Sequence, residues 1–394
     1  MTSAHTVLLG DVCKFVGGGT PSRAHPEYFQ GDIPWATVKD FKTFLISDTA
    51  EHISEVAIAD SATNIVDPGT VLLVTRVGLG KVAIAGCRLT INQDIKAITP
   101  TDDMLPEFLF WFLLSRANNI KRMGAGATVK GVTLNDIKSI CIPVPSITEQ
   151  RFIVDILSRA ESIVRLRREA KKKAAELIPA LFLDMFGDPA TNPKGWPVLP
   201  LCEVSEVISG ATKGRHLAAN EAIELPYMRV GNVKDGHLDL TEIKTIKIKR
   251  SEIGRLKLEP GDLLMTEGGD PDKLGRAALW QGQIELCIHQ NHIFKVRSNR
   301  KIVLPEYLRA LAGSRYGKNH FLRIAKKTTG IASINKTQLS AFPVVLPSMI
   351  MQEQFVKQVV LVESIQSQQS AANTKAQAAF DALLARCFAP SVAA

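Results

Sequence analysis

Residues 146–178 read SITEQRFIVDILSRAESIVRLRREAKKKAAELI, a stretch without glycine or proline. Apolar or small residues recur at 156, 160, 163, 170, 174 and 177, in steps of four and three broken only at Arg167. This is the spacing of a coiled-coil seam, and it predicts a long helix packed along another helix. Ser146, with Glu149 three residues on, supplies the capping box that starts it. Toward the C-terminus the pattern meets Pro179, which is expected to kink or stop the helix. It then meets the turn-rich run Phe186-Gly187-Asp188-Pro189-Ala190-Thr191-Asn192-Pro193-Lys194-Gly195-Trp196-Pro197, the clearest domain boundary in the chain.

A second long helix is expected from Ser348 to Phe388, with seam candidates Val359, Val362, Ala376, Phe380 and Leu383. Its middle, Gln366 to Asn373, is polar, so that seam is weaker. Each helix follows a proline-marked strand, Ile140-Cys141-Ile142-Pro143-Val144-Pro145 before the first and Phe342-Pro343-Val344-Val345-Leu346-Pro347 before the second.

This pairing extends through the whole chain as an internal repeat. At an offset of 192, Leu9-Gly10-Asp11-Val12 falls on Leu201-Cys202-Glu203-Val204, and Ile33-Pro34-Trp35 on Leu225-Pro226-Tyr227. Asp67-Pro68-Gly69 falls on Glu259-Pro260-Gly261 at the same offset. The offset then drifts. Gln93-Asp94 meets Gln290-Asn291, Pro106-Glu107-Phe108-Leu109 meets Pro305-Glu306-Tyr307-Leu308, and Glu149-Gln150 meets Glu353-Gln354. Matches that keep their order mark a duplicated unit of about half the chain, too long for a solenoid repeat. Each copy opens with short strands, such as Val71 to Thr75 and Leu263 to Thr266 after the Pro-Gly turns, and has a helix starting at Pro106 or Pro305. The expected class is α+β: two similar mixed α/β domains separated by two long antiparallel coiled-coil helices, with pseudo-twofold symmetry. The expected segments are 1–145, 146–198 (helix and connector), 199–347 and 348–394.

At 394 residues, 45 % hydrophobic and 22 % charged, the chain is neither a disordered tail nor a fibre. Its longest apolar run, Phe108 to Leu114, is far short of the ~20 residues that span a bilayer. The start, Met1-Thr2-Ser3-Ala4-His5, lacks the basic and apolar stretches of a secretory signal. Six cysteines without a CxxC pair fit reduced thiols in a cytoplasmic protein. The net charge of +9 is unevenly spread: residues 1–145 carry 13 basic and 14 acidic side chains, residues 199–345 carry 23 and 15. That surplus points to a polyanion partner, although anionic lipid head groups satisfy the same arithmetic.

The search for catalytic motifs comes up empty. Val77-Gly78-Leu79-Gly80-Lys81-Val82 has threonine at 75 and valine at 82 where a P-loop needs glycine and a hydroxyl. Gly17-Gly18-Gly19 is not followed by the last glycine of a dinucleotide fingerprint. No Asn/Asp-Pro-Pro-aromatic loop for a flipped base occurs; Asp188-Pro189-Ala190 and Asn192-Pro193-Lys194 lie in the connector. A nuclease pattern forced from Asp67 and Asp94-Ile95-Lys96 is not retained in the second copy. His289 and His292 have no third metal ligand nearby and read as structural.

The basic residues read differently. Lys121-Arg122 precedes a Gly/Thr-rich run ending at Lys130, and the second copy offers Arg323, Lys326 and Lys327 before Thr328-Thr329-Gly330. A cationic cluster entering such a loop suits phosphate contact; the alternative is a solvated helix end that offsets the dipole. Arg76, Lys81, Lys273 and Arg276 occupy the loop after the Pro-Gly-initiated strand in each copy, with Glu267 and Asp272 among them as acceptors for cytosine N4 or as ion-pair partners. Trp35 and Tyr227 fit core packing better than base stacking. Lys244 to Arg250 alternates cationic and apolar residues, as an edge strand does.

With the repeat, the Glu-Gln helix starts and the Met185-to-Trp196 connector in view, the chain resembles the DNA-specificity subunits of type I restriction–modification systems. The strings carrying the resemblance include Gly18-Gly19-Thr20-Pro21-Ser22, Pro226-Tyr227-Met228-Arg229-Val230-Gly231-Asn232 and Thr266-Glu267-Gly268-Gly269-Asp270-Pro271-Asp272-Lys273-Leu274-Gly275-Arg276. The resemblance implies two target-recognition domains, each reading half of a split sequence in double-stranded DNA, with Thr20, Ser22 and Arg229 joining the candidate contacts. It implies that the helices dock methyltransferase subunits, through positions such as Ile156, Ala160, Ile163, Leu177, Val359, Val362, Phe380 and Leu383. The chain itself then needs no cofactor or metal. S-adenosylmethionine belongs to the methyltransferase partner, and ATP with Mg to the restriction subunit. The readings held against this are a single-chain DNA methyltransferase or nuclease, and a coiled-coil adaptor without nucleic acid.

Overall fold

The computed structural model describes residues 5–124, 131–270, 273–328 and 330–389. Two compact units divide the chain: residues 1–169 with 371–394, and residues 170–370. Both long helices, Ile147–Phe186 and Met349–Cys387, contribute residues to both units.

In the first unit, Val71–Val74 is buried on both faces because the sequence after Asp67-Pro68-Gly69 is continuously apolar. It lies inside a five-stranded sheet in the order Cys13–Gly17, Ile95–Pro100, Val71–Val74, Val82–Ala85, Leu45–Ile46. A four-stranded sheet follows the order His52–Ile53, Ile33–Ala36, Leu89–Ile91, Ile65–Val66. His5–Leu8 pairs with Cys141–Val144, so the strand before the long helix ties back to the start of the unit. The apolar run Phe108 to Leu114 lies in the helix Pro106–Ser115. That helix is buried nearly all round, sharing one core with Val71, Leu73, Val82 and Ile98 of the sheet and with Ile153, Leu157, Phe380 and Leu384 of the long helices.

The second unit repeats this plan. Its four-stranded sheet runs Ser205–Ser209, Ile293–Ser298, Leu263–Thr266, Ala277–Leu279, the strand order of the first unit without its last member. Val198–Pro200 pairs with Pro343–Val345, as His5–Leu8 does with Cys141–Val144. Lys244–Lys249 is an edge strand beside Ala222–Met228, with its apolar residues inward. Phe182, Phe186, Tyr307 and Phe355 form an aromatic cluster with ring centroids 5.0–6.4 Å apart. Lys171 Nζ reaches Ser370 Oγ (3.3 Å) and Ala174 O accepts from Gln366 Nε2 (2.6 Å), so the helices run antiparallel in this unit.

Four sequence expectations need correction. The helix does not stop at Pro179; it continues to Phe186, because its last turns deliver Phe182 and Phe186 to the aromatic core. The inward-facing residues of its first part are Ile153, Leu157 and Val164, whereas Ile163 and Leu177 are about half exposed. The helix carries two apolar stripes, and the spacing rule mixes them: Ala174 of the expected seam is buried and Ala160 packs on the core, while Ile163 and Leu177 lie on the outer stripe. Hydrogen bonds also shift two offsets. Thr75 N donates to Asp94 O (2.8 Å) and Glu267 N to His292 O (3.0 Å), so Gln93-Asp94 corresponds to Asn291-His292. Gln150 corresponds to Gln352: both are fully buried in the first turns of the long helices. Gln150 bonds Leu105 N (2.8 Å), Asp103 O (2.8 Å) and Pro145 O (2.9 Å). Gln352 bonds Leu304 N (2.9 Å), Ile302 O (3.2 Å) and Pro347 O (2.9 Å). Each glutamine pins its helix to the globule that precedes it. The capping box of Ser146 and Glu149 forms as expected.

Candidate nucleic-acid interface

In the first unit the chain leaves the strand Cys13–Gly17 through Gly18, where a Cβ would lie 2.2 Å from both Ile91 O and Asn92 O. Only glycine permits this approach, and it presses the loop against the turn at 92–94, with Gly19 N donating to Ile91 O (3.0 Å). Exposed Thr20 bonds the Gln93 side chain through Oγ1. Thr75 joins the same turn from the other side, and its carbonyl accepts from Val132 N (2.9 Å). The next residue, Arg76, forms a bridge with Gly131, and its half-exposed guanidinium lies 3.8 Å from Asp94. Thr20, Gln93, Asp94 and Arg76 therefore share one turn region.

Lys81 is exposed after a tight loop, and its Nζ reaches Val38 O (3.4 Å). In that loop Gly80 has φ +78°, and a Cβ there would meet Ala117 O at 2.6 Å, which seats the helix Ala117–Met123. Lys121 and Arg122 are exposed in its last turn. Lys130 lies outside the described residues, as does Asp272. Ser22 is exposed, and its Oγ accepts from Ala24 N (3.3 Å), closing a local turn.

The second unit builds the same frame. A Cβ at Gly210 would lie 2.2 Å from His289 O, and Ala211 N donates to that carbonyl (2.8 Å). Glu267 stands where Thr75 does, and its carbonyl accepts from Ile334 N (2.9 Å). His292 Nδ1 lies 2.6 Å from Glu267 Oε2, and His292 Nε2 lies 3.5 Å from Asn291 Nδ2. Gly268–Gly269 pairs with Ile331–Ser333, which pairs with Lys326–Thr328. This ribbon holds exposed Lys326 and Lys327 next to the Glu267 loop. Lys273 pairs with Asp270 and holds that carboxyl below its ordinary range. Arg276 N donates to Thr266 Oγ1 (3.1 Å), and exposed Arg323 places Nη2 3.4 Å from His320 Nδ1. Arg229 sits apart from this loop, donating to Glu242 O (2.9 Å) and Oε2 (3.0 Å).

Trp35 and Tyr227 are buried core residues, and Trp35 Nε1 donates to Gly19 O (3.2 Å). His289 is buried between Leu256 O and Ile208 O, which are 3.3 Å from its two ring nitrogens, and burial pushes its pKa down to about 4. Among the described residues no group of three or more His, Cys, Asp or Glu is placed to hold a metal ion. No described helix is long and apolar enough to cross a membrane.

Of the helix positions singled out for docking, Ile163 and Leu177 are exposed, and Ile156 and Ala160 are partly covered. Val359 and Phe380 are instead buried in the cores, with Val362 and Leu383 partly buried. Phe152 and Leu166 add to the outer stripe of the first helix.

The sequence points to the basic loops but does not single out Gln93 in the first unit, or Asn291 and the Glu267–His292 pair in the second, as occupants of equivalent turns. The signal available is the repeat itself, read at an offset one residue larger.

Residues 3–177 match the family of the type I restriction modification DNA specificity domain. The chain is 31 % identical over 252 residues to the MjaIX type I restriction enzyme specificity subunit of Methanocaldococcus jannaschii, covering 58 % of this chain and 57 % of that protein. It is 32 % identical over 176 residues to the EcoR124I/EcoR124II specificity subunit of Escherichia coli, covering 43 % and 44 %. The chain thus spans about half the length of the curated relatives it matches. A solved structure described as the structural basis of complex assembly and conformational transition of the type I R-M system shares the fold, with TM-score 0.63 over 98 % of each chain at 18 % identity. The type I S subunit from M. genitalium gives TM-score 0.57 at 14 % identity, covering 99 % of this chain and 97 % of that one.

Proposed function

We propose, from the match of residues 3–177 to the type I restriction modification DNA specificity domain and from the likeness to two specificity subunits, that the chain belongs to that family, is the sequence-reading component of a DNA-modifying complex and carries no catalytic step itself. Each unit reads one half of a bipartite duplex target. The observation that carries this reading is the doubled frame: one loop is pressed by a glycine onto one turn, twice, with different side chains displayed each time. A symmetric enzyme site would repeat its chemistry; a reader of two different half-sequences must not.

Lysines and arginines of the surrounding helix end and ribbon (Lys121, Arg122, Lys326, Lys327) supply phosphate contacts that fix register without specifying sequence. The exposed stripe of the first long helix, with Phe152, Ile163 and Leu166, is the docking face for a methyltransferase subunit. That partner brings S-adenosylmethionine chemistry to adenine, and a restriction subunit brings ATP-driven cleavage. The segments 1–145 and 199–347 act as the two reading domains, and 146–198 and 348–394 as the spacers, in a cytoplasmic complex.

The test is a genome-wide map of adenine methylation in cells making this chain with its cognate methyltransferase, against cells lacking only this chain. A bipartite motif that disappears with the chain is expected. An unchanged methylation pattern overturns the proposal.

A further inference from the structure

Phosphates are the same at every base pair, so groups that hold only phosphate have no reason to change chemistry between two halves of one reader. Base edges differ, and groups that read them must differ as well. The two units allow this distinction residue by residue, because hydrogen bonds fix the equivalence of their turns. Thr75 N to Asp94 O corresponds to Glu267 N to His292 O, and Val132 N to Thr75 O corresponds to Ile334 N to Glu267 O. On that shared backbone the first unit displays Gln93 and an Arg76 faced by Asp94 at 3.8 Å. The second displays Asn291 and a His292 held by Glu267 at 2.6 Å.

Charge separates these sets from their neighbours. Lys121, Arg122, Lys326 and Lys327 are cations on the helix end or ribbon of each copy, consistent with a common anionic ligand. The turns instead place a carboxylate beside the displayed group in both copies, Asp94 in one and Glu267 in the other. A carboxylate facing the phosphate backbone is repelled by it; a carboxylate that orients a neighbouring donor, or accepts from cytosine N4, is at home against a base edge. Asp94 is largely buried behind Arg76, and Glu267 is more covered than His292, so the braced group stands outward of its brace in each unit.

Building on the DNA-recognition function proposed above, we propose that Gln93 with Asp94-braced Arg76, and Asn291 with Glu267-braced His292, are the base-reading groups of the two units. Arg76 offers two parallel donors suited to guanine O6 and N7, and Gln93 and Asn291 offer the donor–acceptor amide suited to adenine N6 and N7. Asp94 and Glu267 are positioning residues.

The experiment selects bound duplexes from a random-sequence library, using the assembled methyltransferase complex with the wild-type chain, Arg76→Lys, Asp94→Asn or His292→Ala. Arg76→Lys keeps the charge and loses the fork. It is expected to relax one base position of one half-site by roughly ten- to hundredfold, with an unchanged slope of affinity against salt. Asp94→Asn should relax the same position, and His292→Ala a position in the other half only. If Arg76→Lys and His292→Ala select the wild-type motif with full discrimination, the assignment is overturned. If affinity falls equally on all sequences with a flatter salt slope, these groups hold phosphate and the assignment is likewise overturned. A wild-type complex that selects no motif removes the DNA-recognition function itself.

Discussion

The two units lay the same strands in the same order and differ in what they enclose. Where the strand Ile95–Pro100 of the first unit carries Ala97 and Thr99, the strand Ile293–Ser298 of the second carries Lys295 and Arg297 at the same register. Lys295 is fully buried and donates to Arg255 O (2.7 Å) and Lys257 O (3.0 Å); burial pushes its pKa down. Arg297 grips buried Asp262 through Nε and Nη2, both at 2.8 Å, a pairing that holds the guanidinium charged. Ile91 of the first unit is likewise replaced by buried His289. One frame tolerates an apolar or an ionic interior where the buried charged groups and the imidazole, Lys295, Asp262 and His289, find partners. Tolerance of that kind lets the displayed turns vary while the scaffold stays fixed.

The glutamine pins test what is common to the units. Gln150→Leu strands one amide and two carbonyls in a buried site, and Gln352→Leu does the same. Each should cost about 3 kcal/mol in urea unfolding, with hydrogen-exchange protection lost first in the unit that holds the substitution. A cost under ~1 kcal/mol for one of them alone would show that the pins are not equivalent.

Acid tests what differs. His289 is neutral when folded, with its pKa lowered to about 4, and takes up a proton on unfolding at its ordinary value of about 6.5. Its contribution is therefore intact above ~6.5 and is lost as pH falls toward about 4, up to about 3 kcal/mol in all. His320, partly buried in the same unit, is shifted in the same direction. Hydrogen exchange between pH 7 and 4.5 should show the second unit losing more protection than the first. Equal losses would mean the ionic interior carries no such penalty.

Smaller effects belong to the surface. Lys326→Ala with Lys327→Ala, or Lys121→Ala with Arg122→Ala, should weaken binding to all duplexes alike and reduce the salt slope by about 1 for each phosphate left without its cation. A change in preferred sequence would move those residues to the base-reading set. The exposed Arg159–Asp155 pair on the long helix (2.8 Å) is the smallest: Arg159→Ala should change stability by less than ~0.5 kcal/mol in thermal unfolding.

Much of the fold is legible in the sequence, because prolines, Pro-Gly turns and apolar runs punctuate both copies in the same order. The strands at Val71–Val74 and Leu263–Thr266 and the helices from Pro106 and Pro305 follow from those marks. The errors have local causes. An insertion in a turn leaves no compositional trace, so the sequence offset at Gln93 is one residue short, and only the hydrogen bonds to Asp94 and His292 fix it. Gln150 reads as an ordinary first-turn residue until its three buried partners are seen. Periodicity finds an apolar stripe but not its direction, so Ile163 and Leu177 read as seam while Ile153, Leu157 and Val164 face inward. Polar turn residues have no period at all, which is why the candidate site emerges from the equivalence of the units.

Exchanging one unit's globule separates reading from reaction: each unit is to read its own half of one target while partners perform the chemistry. Residues 1–145 are replaced by the corresponding segment of a relative with a known bipartite target, and adenine methylation is mapped in cells that supply the cognate methyltransferase. A hybrid motif is expected: one half taken from the donor, the other half and the chemistry unchanged. A motif altered in both halves, or in neither, would contradict it.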